Sequence, residues 1–169
     1  MGVLGSMNIF GEEDFKPVIR FGKVLPDYYA SKDGRVWSEK RHKFMTSFAQ
    51  YYKKYSGEKK LSLMRFAFTI PDNLYEDHKH RKTSTSTNVC KIDISAHRVV
   101  AETWMPIDEY PPVPKEVWDK SDESMKQCIR DMAIVDHKDN NPRNNHVSNL
   151  QWVTPKENEF NRKKKARLT

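Results

Sequence analysis

The chain reads as an α+β protein, with a β-rich N-terminal part and a C-terminal unit ordered strand, loop, strand, helix. Three observations predict this. Lys32-Asp33-Gly34 separates two β-prone pieces between Tyr28 and Ser38, and an Asp-Gly pair in that setting marks a hairpin. Ala96, Val99, Val100, Thr103 and Trp104 recur at helical spacing. From Ala133 the pattern changes abruptly. A short apolar run ends in Asp136-His137, a polar Asn- and Pro-rich loop follows, and Thr154-Pro155-Lys156-Glu157 then opens a helix.

Taken in order, residues 15 to 38 predict short strands, and 44 to 55 and 61 to 70 predict two more, the latter apolar at Leu61, Leu63, Phe66 and Phe68. The polar, Ser- and Thr-rich stretch from Glu76 to Asn88 predicts an exposed loop. A helix is expected over Ser95 to Met105, stopped by Pro106, with Pro111, Pro112 and Pro114 marking a linker-like bend. Ser121 to Met132 suits a second short helix. Ile134 to His137 predicts one strand and His146 to Val153 another, with Leu150 and Trp152 on one face. Thr154 suits an N-cap, Pro155 the first helical position, and Glu157 the far side of a capping box. Met1 to Ser6 read as the leftover of an expression vector, leaving 7–94 as a β-rich region and 95–169 as the C-terminal module.

Composition narrows the function classes. The 169 residues fit one compact domain or a small module with a companion. No apolar run approaches the ~18 residues of a membrane span, and no signal peptide is visible. Cys90 and Cys128 are far apart, without a CxxC partner, so they predict free thiols and no zinc site. The net charge of +7 points towards a polyanionic partner. Its distribution is uneven. Eight basic residues against Glu58 lie between Lys40 and Arg65, six acids against two lysines lie between Asp108 and Glu123, and Arg162 to Arg167 is a basic run. Lys53, Lys54, Lys59 and Lys60 interleave with Tyr51, Tyr52 and Tyr55, a mixture suited to nucleic-acid backbone contact or to a solvated hairpin.

Asp136-His137, Asn149-Leu150, Trp152-Val153-Thr154, Glu157-Asn158 and Asn161, in this order of elements, resemble the HNH endonucleases of the ββα-metal superfamily, in particular phage homing endonucleases. More weakly, Tyr28 to Ser38 resembles a small module found beside such nucleases, and Ala96 to Ala101 the helix that precedes the motif. The resemblance implies a divalent-metal-dependent, site-recognising DNA endonuclease that leaves 5′-phosphate and 3′-hydroxyl ends. It implies Asp136 and Asn158 as hard oxygen ligands for one Mg²⁺ or Mn²⁺ per active site. His137 would be the general base, since imidazole ordinarily titrates near neutrality. Asn149 would tie the hairpin loop together and help to orient that histidine, and Asn161 would be a supporting group or an alternative ligand. Both helical positions often held by histidine in the family are asparagine here.

Phosphate contacts are expected from Arg162, Lys163, Lys164 and Lys165 and from Lys53 and Lys54, while His42, His78, His80, His97 and His146 are read as lying outside the constellation. The expected partner is double-stranded DNA, with no membrane, no obligate protein partner and a monomeric chain. The expected location is the cytoplasm, that of the host cell if the chain is phage-encoded. The rival readings are a DNA-binding protein that has lost cleavage and a non-specific nuclease.

Overall fold

The computed structural model describes residues 14–74 and 88–166, with side chains as far as Asn161. Met1 to Ser6, nearly all of the Glu76 to Asn88 loop, and the side chains of Arg162 to Arg167 lie outside the described residues.

The first sheet is antiparallel, in the order β1 (Phe15–Arg20), β2 (Lys23–Ser31), β3 (Val36–Ser38), β4 (Lys43–Phe44). The predicted hairpin joins β2 to β3, and its turn uses Gly34 at φ 89°, a left-handed conformation that glycine adopts without steric cost. The second sheet runs β5 (Phe48–Lys53), β6 (Lys59–Pro71), β7 (Val89–Ser95), again antiparallel. The single strand predicted over 44 to 55 is therefore two short ones in different sheets. β7 was not singled out from the sequence, although Cys90, Ile92 and Ile94 alternate.

Phe66, Phe68 and Ile70 on β6 point inward at period two and meet Val18, Leu25, Tyr28 and Val36 from the first sheet. Burial of each large apolar side chain contributes roughly 1.5–3 kcal/mol. The Tyr28 hydroxyl donates to the Thr69 carbonyl at 3.2 Å and accepts from the Thr69 N–H at 3.0 Å, so one phenol ties the two sheets together.

Helix α1 (Ala96–Trp104) is buried on most of its circumference, which places it at the centre of the molecule. Ala96 and Val99 complete the first core, while Val100 and Ala101 build a second with Val135 and Leu150. The junction at residues 94 and 95 therefore falls inside shared packing. Beyond the Pro106 stop, the Pro111 to Pro114 bend leads into a short helix not read from the sequence, α2 (Lys115–Lys120), with buried Trp118 and a Lys115–Asp119 ion pair of 2.9 Å. Six residues carry too little periodicity to announce it. Helix α3 (Glu123–Met132) is capped by Asp122, whose carboxylate accepts the Met125 N–H at 2.8 Å.

The C-terminal unit pairs β8 (Ile134–His137) with β9 (Leu150–Val153), and α4 (Pro155–Ala166) follows. The capping box forms: Thr154 Oγ1 accepts the Glu157 N–H at 3.2 Å, and Glu157 Oε2 accepts the Thr154 N–H at 2.9 Å. The second strand is shorter than the predicted His146 to Val153, because Val147–Asn149 forms a 3₁₀ turn. Among the described residues, no helix is long and apolar enough to cross a membrane.

Candidate active site

β8 sends adjacent side chains to opposite faces of the small hairpin. Val135 and His137 lie with their β9 partners Trp152 and Leu150 against α1, whereas Asp136 pairs with Gln151 on the face that α4 covers. On that face Asp136 Oδ2 accepts from Gln151 Nε2 at 3.3 Å and from Asn161 Nδ2 at 3.2 Å. Asn158 is half-buried one turn earlier on α4. The residue hydrogen-bonded to Asp136 is thus Asn161, the one read as a supporting group or alternative ligand.

His137 is buried, and its Nε2 lies 3.1 Å from Asn145 Oδ1. The other end of that amide donates to the Arg143 carbonyl at 3.3 Å and to the Pro142 carbonyl at 3.5 Å. The oxygen therefore faces the imidazole, and because an amide oxygen only accepts, Nε2 is the donor in this hydrogen bond. Asn145, which the sequence did not single out, is thus a direct hydrogen-bond partner of His137.

Asn149 has the loop-tying role. Its Oδ1 accepts the Asp139 N–H at 3.2 Å, and its Nδ2 donates to Asp139 Oδ1 at 2.9 Å and to the Asn144 carbonyl at 2.8 Å. Asp139 is the hub, also accepting the Asn141 N–H at 2.8 Å and Asn144 Nδ2 at 2.8 Å. Desolvation acts against its charge, but the hydrogen bonds from Asn141, Asn144 and Asn149 together hold its carboxyl below the usual carboxylate range. Asn140, at φ 62°, takes the left-handed turn position that asparagine tolerates.

His97, read as an outsider, belongs to the site. Its ring meets that of His137 edge to face, with centroids 5.1 Å apart. Burial is the main cause that lowers its pKa to about 3, with His137, Arg98 and Arg65 adding to the shift, so it stays neutral. Its Nδ1 is buried without a hydrogen-bond partner. The remaining histidines follow expectation where described: His42 and His146 are exposed. Neither Asn145 nor His97 has a local signal beyond the Asn-rich loop and the helical periodicity that hide them.

Among the described residues, no group of three or more His, Cys, Asp or Glu is gathered to hold a metal. The donor set around Asp136 is one carboxylate and neutral amides. It fits a hard divalent ion that keeps most of its coordination for water and phosphate oxygens, and fits zinc poorly.

Away from this centre, the β5–β6 hairpin exposes Phe48, Tyr51, Tyr52 and Tyr55 beside Lys53, Lys59 and Lys60. Lys54 is engaged across the turn, its ammonium donating to Glu58 at 2.7 Å, and that carboxylate raises its pKa. Both thiols are free, Cys90 buried and Cys128 exposed.

Residues 95–160 match the model of the HNH endonuclease family. An uncharacterized HNH endonuclease of Acanthamoeba polyphaga mimivirus is 29% identical over 132 residues, covering 78% of this chain and 26% of the relative. The chain thus spans about a quarter of that protein's length. A solved structure of DNA binding and cleavage by the HNH homing endonuclease I-HmuI aligns with a TM-score of 0.48 at 21% identity, over 92% of this chain and 61% of that one. The HNH likeness read from the sequence is borne out over the segment that holds Asp136, His137, Asn149 and Asn158.

Proposed function

We propose that this chain, which matches the HNH endonuclease family over residues 95–160, is a divalent-metal-dependent DNA endonuclease that recognises a site, of the homing type. The observation that carries the reading is the placement of Asp136 and His137 on opposite faces of β8, with Gln151 and Asn161 hydrogen-bonded to the first and Asn145 to the second.

In this reading His137 is the general base. Its ring is oriented by the hydrogen bond between Nε2 and Asn145, and the imidazole would take a proton from the attacking water. His97, neutral and packed against the ring, adds no competing positive charge. Asp136 would hold one Mg²⁺ or Mn²⁺ together with the amide oxygen of Asn161 or Asn158, Asn161 turning its amide from its present hydrogen bond. Bound there, the ion would neutralise charge on the phosphate and stabilise the departing oxygen. Asn149 and Asp139 act at one remove, keeping the loop in the shape that presents Asn145.

Double-stranded DNA is the proposed substrate. Its backbone would meet the exposed tyrosines and lysines of the β5–β6 hairpin and the Arg162–Lys165 run. The test is His137→Ala on supercoiled plasmid and long DNA with Mg²⁺. Cleavage is expected to fall by ~10²–10⁴-fold, the usual contribution of a general base, with DNA binding within a few-fold of wild type. Cleavage persisting above about a tenth of the wild-type rate contradicts the assignment.

A further inference from the structure

The β2–β3 turn reaches across to the loop that holds His137. The Lys32 carbonyl accepts the Val147 N–H at 2.8 Å. Two residues away on each side, Gly34 and Asn145 approach so closely that a Cβ at position 34 would stand 3.0 Å from Asn145 Cβ and 3.4 Å from its carbonyl oxygen. Nine in ten real Cβ contacts are looser than that, so a side chain at position 34 would force Asn145 to give way by a few tenths of an ångström. The turn is itself well braced. The Ser31 N–H donates to the Arg35 carbonyl at 2.9 Å, the Gly34 N–H to the Ser31 carbonyl at 3.1 Å, and Arg35 Nε to Asp33 at 2.8 Å. Trp104 on α1 fastens the end of β2, donating from Nε1 to the Ala30 carbonyl at 3.1 Å, with the Lys32 ammonium 5.0 Å from its ring centroid.

We propose that this turn is a positioning element for the nuclease centre: Gly34 presses on Asn145 and so sets the orientation of the His137 imidazole. The inference rests on the reading of His137 as the base. Asn145 is buried between its own loop, which takes its amide hydrogens, and the turn, which meets its backbone and Cβ. Its Oδ1 therefore has little freedom except to receive the His137 Nε2–H. A displacement of Asn145 transmits directly to the ring, and misplacing a reacting group by about 1 Å costs on the order of 10²-fold in rate. The N-terminal sheet thereby completes the catalytic loop, in addition to any contact it makes with DNA.

The test compares Gly34→Ala and Gly34→Asn with Gly22→Ala, all as full-length chains, by single-turnover cleavage of a supercoiled plasmid over a range of protein concentrations. Gly22 also has positive φ, at 71°, but open space around its Cβ position, so it reports backbone strain without the contact. Asparagine tolerates positive φ better than alanine, and Gly34→Asn keeps the test open if Gly34→Ala fails to fold by circular dichroism. Both Gly34 variants are expected to lower the maximal rate by on the order of 10–10²-fold, with half-saturation within about threefold of wild type, while Gly22→Ala stays within about twofold on both. Because Gly34 acts through Asn145, Gly34→Ala in an Asn145→Ala background should add little further loss. Folded Gly34 variants that cut at the wild-type rate, losses that multiply with Asn145→Ala, or affinity that falls in parallel with rate would each overturn the proposal. His137→Ala run alongside separates the two levels. A fully active His137→Ala removes the base reading and this inference together, whereas an inactive one beside wild-type Gly34 variants removes the inference alone.

Discussion

Lowering the pH from 7.5 to 5.0 should destabilise this protein through His97, and replacing that residue with leucine should remove the effect. His97 lies inside α1 with its pKa lowered to about 3, first by burial and then by His137, Arg98 and Arg65. In the unfolded chain the same imidazole titrates near its ordinary value of 6.5. Between these two values the unfolded state binds a proton that the folded state does not, so stability is fully present above the ordinary value and is lost as pH falls towards about 3. Linkage over the window from pH 7.5 to 5.0 gives a loss of about 2 kcal/mol from this one group, roughly 4–8 °C in melting temperature for a chain of this size. The measurement is urea unfolding of wild type and His97→Leu across that window, where carboxylates remain largely ionised. Taking the difference between the two proteins cancels the other histidines. His97→Leu is expected to be equal to wild type or more stable at pH 7.5, because it also removes the unpartnered Nδ1. At pH 5.0 its advantage should be larger by about 2 kcal/mol. Stability curves that run parallel with pH would refute the argument, since His97 would then titrate alike in both states.

Two further outcomes follow from the metal face and from the charge distribution. Asp136→Ala should raise the Mg²⁺ or Mn²⁺ concentration needed for cleavage more than either asparagine variant, because only Asp136 supplies charge; between the amides, Asn161→Ala should act more strongly than Asn158→Ala, as Asn161 is the one hydrogen-bonded to Asp136, and a metal titration giving the reverse order would return the ligand role to Asn158. Changing Lys163, Lys164 and Lys165 to glutamine should flatten the dependence of log affinity on log salt by up to roughly 2.7, about 0.9 for each lost phosphate contact, without altering the preferred site, and an unchanged slope in a filter-binding titration would show that the run does not touch the backbone.

Much of the local architecture was legible in the residues, because its causes act over a few positions. Asp33-Gly34 announces the β2–β3 hairpin, Thr154 and Glu157 announce the start of α4, and two-residue alternation alone puts Asp136 and His137 on opposite faces. The loop-tying role implied for Asn149 also agrees with its hydrogen bonds. Packing across greater distances decided the rest. Whether Asn145 or Asn149 meets His137 depends on which side of an Asn-rich loop faces inward, and the side that does also lies against the turn around Gly34. His97 reads as one more residue of a periodic helix until two cores close on opposite sides of α1 and bring its ring to His137, 40 positions away along the chain. Asn161 meets Asp136 through the angle at which α4 leaves β9, and β4 and β5 part into separate sheets through the partners each strand finds. Propensity, capping and alternation are properties of neighbouring residues and can be read from their order, whereas the partner of a buried polar side chain is fixed by which surfaces the folded chain brings together.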